Sequence, residues 1–430
     1  MIGTGGRPGS GGTVATGGAP GSGGRSGSGG ISGSGGSHGN GGSPGGGAPG
    51  HGGSVATGGA PGPDGHGGAA TGGQAGGTGS AGSSGTTGSA TVIAGCSILP
   101  ANHIFNTPID AFPVDPHSAD YLTTIGDHKL HLDLGTSTDP SAPDTYYGIP
   151  YNVIQGAAAS WVKVTYYSGD PDLTWDPRPE SDCVDASTGR YNQVSPCTSA
   201  AAPAPVLPIP RGALVEGGYS SSSTTLPYGD HHILVLDGDS CRLYETYHAY
   251  GIDSGGWNIF GSAIFDLRSN ALRPDGWTSA DAAGFPILPL LLRVADINDG
   301  AIRHALRFTI TSSKIRNGHV WPARHDTGNG TTSASLPPMG QLFRLKASYA
   351  IPDSFTGQAR AILQAMKLYG MYIADGGSDM YVTGEPNVAW SSDTISQVQS
   401  VGSAQFEAVD LTPIHQRAGF DIDSAAVPPP

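Results

Sequence analysis

The sequence predicts a mainly β domain, an antiparallel β-sandwich or jelly roll with one or two helices, behind a disordered glycine-rich tether. Three observations carry this. Residues 1–90 hold forty of the 70 Gly and contain no Phe, Trp or Tyr. Beyond them, short runs of β-branched and aromatic residues are separated by Gly, Pro and Asp turns. Nothing alternates as strand, helix, strand, so a doubly wound sheet is disfavoured, and no blade-length repeat supports the rival reading, a β-propeller.

The tether comes first. Its only formal charges are Arg7, Arg25 and Asp64, and it has too little apolar surface to offset the entropy of ordering it. The heptapeptide ATGGAPG occurs at 15–21 and again at 56–62, a repeat expansion in a spacer. A Gly/Ser chain of this length reaches about 50 Å. The G-x-S-x-G match at 41–45 falls in this composition and carries no catalytic meaning. The expected organisation is a linker over 1–90, a β-rich catalytic or binding domain over 91–415, and a loose tail over 416–430.

Within the domain, strands are expected over 147–154 and 160–167, the second reading WVKVTYY. The clearest hairpin joins HHILVLD (231–237) to CRLYETYHA (241–249) through Gly238, Asp239 and Ser240. Further strands are expected over 257–265, 301–311, 342–350, 371–374, 379–383 and 405–409. Ala359, Ile362, Leu363 and Met366 keep helical spacing over 358–369. Shorter helices are expected over 118–124 and 393–399.

Charge and cysteine content narrow the function classes. Removing the tether's one acid and two bases from chain totals of 35 Asp+Glu and 21 Lys+Arg leaves 34 against 19. That acidic balance, without a basic run, excludes nucleic acid as an expected partner. No apolar run reaches the length of a membrane span. Cys96, Cys183, Cys197 and Cys241 contain no C-x-x-C, which favours disulfides over metal. Cys183 with Cys197 is the natural pair, leaving Cys96 with Cys241, although three connectivities are open. Disulfides and a tether together predict a secreted or surface-anchored protein. No signal peptide precedes the linker, so this reading expects the start to lie upstream or the signal to have been removed.

Chemistry-bearing residues concentrate between Asp266 and His325. No H-E-x-x-H, Walker-type loop or dinucleotide fingerprint occurs in the domain. Asp275 and Asp281 flank Trp277, and carboxylates beside an aromatic fit a sugar site, with one acid held protonated and the other ionised; a turn at Asp275 and a helix cap at Asp281 are the competing readings. His304 lies on the apolar face of its strand, with Arg303 and Arg307 on the other, either as a core residue or as a tuned base. His319, Trp321, Arg324 and His325 crowd into HVWPARH, where Arg is suited to grip a carboxylate. His319 and His325 would need a third donor to hold a metal. Asp230 stands at the mouth of the hairpin, and Glu245 is a carboxylate in line with Leu243 and Tyr247.

The blocks RPDGWTSADAAG, IRHALRF, HVWPARH, PPMGQLFRLKASY and QARAILQAMKLYGMYIADGGS resemble a family of secreted bacterial proteins that carry a Gly/Ser/Pro tether. The resemblance spans roughly 106–410 and implies an exported domain.

The expected function is cleavage of a polysaccharide or cell-surface glycan, by hydrolysis or by elimination next to a uronate. Asp281, His304, His319, Asp230, Glu245 and Asp266 are the candidate catalytic residues. Trp277, Arg303, Trp321, Arg324 and His325 are the candidate substrate-binding ones. No cofactor is required. The alternatives are a non-catalytic carbohydrate-binding or adhesion module and a His-ligated metal enzyme.

Overall fold

The computed structural model describes residues 90–139, 146–167, 176–187, 192–218, 229–252, 255–298, 301–327 and 330–430. The expected tether, Ala90 excepted, lies outside them. The described residues are mostly sheet, with six α-helices, and three larger sheets organise them.

The first sheet runs Phe406–Ala408, Leu342–Leu345, Met371–Gly376, Leu306–Ile310, Tyr381–Thr383, His131–Asp133. The second runs Gly261–Asp266, Arg242–Tyr247, Ile233–Asp237, Tyr151–Ile154. The third contains Tyr250–Gly251, Trp257–Ile259, Val162–Tyr166, Pro205–Leu207, Cys183–Asp185 and Asn192–Val194. The sheets are mixed, where an antiparallel pattern was expected. Tyr151–Ile154 runs parallel to Ile233–Asp237, Leu306–Ile310 to Met371–Gly376, and Tyr381–Thr383 to His131–Asp133. Each of these pairs is joined by a connection long enough to cross over, which a parallel pair requires.

The second sheet separates two cores. Leu234, Leu236 and Leu243 belong to a large cluster that also holds Phe308, Phe343 and Ile373 of the first sheet. Ile233, Val235, Tyr244 and Ile264 belong to a second cluster with Val164, Val184 and Ile259 of the third. This is the two-residue period of a strand whose faces are both covered. It explains Glu245. Paired with Leu234 across the ladder, it falls on the face that enters the large core.

The helix Gly357–Leu368 begins at Thr356, whose side chain accepts a hydrogen bond from the Ala359 N–H. Such a cap stabilises a helix by about 1 kcal/mol. The helix buries Ala359, Ile362, Leu363 and Met366, the set its spacing predicts. Helices at Ser118–Ile125 and Ser392–Val398 also lie where expected.

Both expected disulfides are present, Cys96–Cys241 and Cys183–Cys197; they fit an oxidising, extracellular compartment. Among the described residues no helix is long and apolar enough to cross a membrane. The C-terminal segment, expected to be loose, is tied down. Ala425 is fully buried and donates its N–H to the Asn270 carbonyl, and Val427 donates to that of Asn102.

Candidate active site

Two adjoining hollows lie where one face of the first sheet meets the end of the second. The smaller, about 150 Å³, is lined by Asp133, Glu216, Asp230, His232, Arg307, Thr309, Asp375, Tyr381 and Thr383, among others. The larger, about 310 Å³, is lined by Glu180, Asp230, Tyr247, Phe260, His325, Asp326 and Asp375, among others. Asp230, Asp375 and Gly376 line both, so the hollows meet at two carboxyl groups.

Sheet register brings the floor together. Thr383 pairs with Asp133, Tyr381 with Thr309, and Thr309 with Asp375. Arg307 and Thr309 are two apart on one strand and share its face, while Phe308 between them enters the core. The pairing of Leu306–Ile310 with Met371–Gly376 is irregular at one point. Phe308 faces Ile373 but Thr309 faces Asp375, so Ala374 is an extra residue. Such a bulge resets strand alternation and re-aims a side chain, a common device beside functional sites. Gly376 follows directly, and a Cβ there would collide with the Ser312 hydroxyl. A larger residue there would require Ser312 to move.

The wall comes from the second sheet. Asp230 and His232 immediately precede Ile233–Asp237, and Tyr247 ends the neighbouring strand. The Tyr247 hydroxyl lies 3.4 Å from Asp230 Oδ1. Glu216 donates its backbone N–H to the His232 carbonyl, and its Oε2 sits 2.6 Å from His232 Nδ1. The other His232 nitrogen, Nε2, donates to the Ala280 carbonyl at 2.9 Å.

The electrostatics of this floor are unusual. Burial pushes the Asp375 carboxyl up to about 8, with the charge of Asp281 adding to the effect. Backbone N–H groups of Gly376 and Ala282 reach its oxygens at 2.7 and 3.3 Å but do not reverse the shift. Burial also raises Asp133 to about 6, helped by Glu216. For Glu216 and His232, burial opposes charge on both, yet their mutual attraction prevails, holding the carboxyl down and the imidazole up. Burial raises the Tyr247 phenol, as does the charge of Asp230.

Of the residues expected from sequence, Asp230 and His325 line these hollows. His325 Nδ1 lies 2.9 Å from the Ala282 carbonyl. Asp281 lies behind the floor, fully buried in a two-pronged pair with Arg307. The other expected residues lie elsewhere. His304 is buried against the Arg293–Asp296 ion pair, 3.1 Å from Asp296 and 2.9 Å from Arg293, in the core. Glu245 is buried and accepts from the N–H groups of Ile287 and Leu288. Asp266 is paired with Arg268 at the surface. His319 contacts Asp275 at 2.9 Å. Trp277 stacks with Arg273, 5.5 Å from its centroid. Trp321 donates to the Ser424 carbonyl, and Arg324 to that of Ile422 and to the Asp423 carboxylate; both anchor the C-terminal segment. Arg303 is half-buried, close enough to Tyr369 to influence its phenol. His304, His319 and Asp281 thus have separate sets of partners, and the HVWPARH segment divides between the larger hollow and the C-terminal anchor.

Asp133, Glu216, His232 and Asp375 were not singled out from sequence. Asp375 had a signal. It is the one acid in MYIADGG, an otherwise apolar strand ending in paired glycines. The other three become visible only through register and loop closure.

Comparison of the chain with protein-family models, with curated proteins and with solved structures returned no match, so the chemistry of the site rests on its own residues.

Proposed function

We propose that the protein is an exported hydrolase that cleaves a neutral polysaccharide in the cleft formed by the two hollows. The observation that carries this reading is the pair of carboxyl groups, Asp375 and Asp230, at their junction. Asp375 is held protonated near neutral pH, as a general acid must be to donate a proton to a glycosidic oxygen. Asp230, exposed at the rim, supplies the second carboxylate, acting on the anomeric carbon or on the water that attacks it. Tyr247 orients Asp230 and offers an apolar face to a sugar ring in the larger hollow.

The lining favours hydrolysis over elimination. Elimination beside a uronate needs positive charge at the sugar carboxylate. Arg307, the arginine of the smaller hollow, is already occupied by Asp281 and Thr383, and Arg324 by Asp423 and the Ile422 carbonyl. The remaining wall is acidic and repels a uronate. The two disulfides support export.

A screen of the full chain on a panel of neutral and acidic polysaccharides tests this. The expected product is new reducing ends without the ultraviolet absorbance of an unsaturated uronate. Binding without product on every glycan, or unsaturated product, would overturn the reading.

A further inference from the structure

The smaller hollow has a property that glycan hydrolysis does not use. Glu216, Asp230 and His232 each offer one donor atom, and the three atoms lie within 4.8 Å of one another. The set is one imidazole nitrogen and two carboxylate oxygens. His232 is almost wholly buried, Glu216 is one-fifth exposed, and Asp230 is open at the rim, so the free side of the cluster faces the cleft.

The orientation of His232 is set from outside the cluster. A carbonyl oxygen only accepts, so the contact with Ala280 puts a proton on Nε2. That leaves Nδ1 directed at the carboxylates. One ring nitrogen donating to a backbone carbonyl, with the other turned toward acidic side chains, is how a metal-ligating histidine is usually held. The charge balance of the hollow points the same way. Asp133, Glu216, Asp230 and Asp375 line it, and its cationic partners are His232 and Arg307. Arg307 is satisfied by Asp281 and Thr383. Beside the protonated Asp375, three carboxyl groups therefore share one imidazole.

We infer that Glu216, Asp230 and His232 Nδ1 bind one divalent first-row transition cation of the Zn²⁺ or Mn²⁺ kind. An imidazole donor suits these ions, whereas Ca²⁺ requires six or more oxygens and this cluster supplies two. Three protein donors leave coordination positions open toward the cleft. The cation takes the place of the proton on Nδ1, which leaves to solvent. It also engages Asp230, so on the hydrolytic reading occupancy and cleavage oppose each other. Binding is measured without glycan, so a failure of the hydrolytic reading leaves this inference untouched.

The test is calorimetric titration of the full chain, stripped with a chelator and dialysed, with Zn²⁺, Mn²⁺ and Ca²⁺ in turn. One equivalent of Zn²⁺ or Mn²⁺ should bind, and Ca²⁺ should not bind at this site. Glu216→Gln, Asp230→Asn and His232→Ala should each weaken binding about tenfold or more. Thermal melting of each variant separates a lost ligand from a lost fold, and Asp230→Asn, at an exposed position, keeps the test open if His232→Ala does not fold. Absence of stoichiometric binding, or an affinity unchanged by Asp230→Asn and Glu216→Gln, would overturn the assignment.

Discussion

Arg307 closes on Asp281 with two hydrogen bonds, Nε to Oδ2 at 3.0 Å and Nη2 to Oδ1 at 2.7 Å, and both side chains are buried. The third contact of the guanidinium, to the Thr383 hydroxyl at 2.6 Å, ties the pair to the next strand. Removing one partner leaves the other as a buried, unpaired charge, at a cost of about 3–5 kcal/mol. Asp281→Asn should lower stability by that order in urea denaturation. Replacing both residues with apolar ones of similar volume should cost much less. A loss below about 1 kcal/mol for the single variant would show that water reaches the pair.

Asp375 depends on that same pair. Its carboxyl is raised first by burial and next by the charge of Asp281. Asp375→Asn should lower hydrolysis by about 10²–10⁴-fold, the usual contribution of a general acid, while leaving the melting temperature close to that of the parent. In the parent, activity should fall as pH rises through about 8, because the acid loses its proton there. Asp281→Asn, if folded, removes a neighbouring negative charge and leaves that of Arg307. The alkaline limb should then move to lower pH. An alkaline limb that stays in place would detach Asp375 from the chemistry.

Much of the fold was legible because it is written in local periodicity. The strand-forming runs HHILVLD and CRLYETYHA around the turn residues Gly238, Asp239 and Ser240 set a hairpin, and the spacing of Ile362, Leu363 and Met366 sets a helix. Cysteine spacing favoured the two disulfides found, with three connectivities open. The site was less legible because its residues are distant in sequence. Asp133 and Asp375 reach the floor through their pairing with Thr383 and Thr309, and Glu216 and His232 through the loop closed by the Glu216 N–H to the His232 carbonyl, none of which a local pattern encodes. Density along the chain pointed instead to HVWPARH. There Trp321 and Arg324 hold the C-terminal segment, a task that uses the same indole N–H and guanidinium that sugar binding would use. Parallel pairing was hidden for a similar reason: a strand buried on both faces reads alike in either direction.

Glu245 gives a stability signature at mild pH. Burial pushes its carboxyl up to about 7 from an ordinary 4.5, although the Ile287 and Leu288 N–H groups favour the charged form. Between these values the folded protein holds a proton that the unfolded chain has released. Folding is therefore favoured at the acidic end, and stability falls as pH rises from about 4.5 to about 7, then levels. The full shift corresponds to about 3 kcal/mol. Asp375 adds a slope of the same sign that extends to about 8. Glu245→Gln keeps an oxygen for the two N–H groups but cannot ionise, so it should flatten the dependence below pH 7. Urea midpoints across this range provide the measurement, and equal slopes in parent and variant would place the ionisation elsewhere.

The two disulfides should differ in what they contribute. Cys96–Cys241 spans 145 residues and Cys183–Cys197 only 14. In the chain-entropy description the first restricts the unfolded state by about 5 kcal/mol and the second by about 3 kcal/mol. The longer bridge also has a defined structural task. It fastens the start of the domain to the hairpin turn after Asp237, whose carboxylate accepts from the N–H groups of Gly156 and Asp239 and from the Ser240 hydroxyl. That hairpin carries Asp230 and His232 at one end and the cystine at the other. Replacing Cys96 and Cys241 together with Ala should lower stability more than replacing Cys183 and Cys197. It should also loosen the Asp230 end of the strand, seen as faster amide exchange at Ile233 and Leu234. If the short-loop variant proves the more damaging, the third sheet, which that bridge braces between Cys183–Asp185 and Asn192–Val194, limits the stability of the domain.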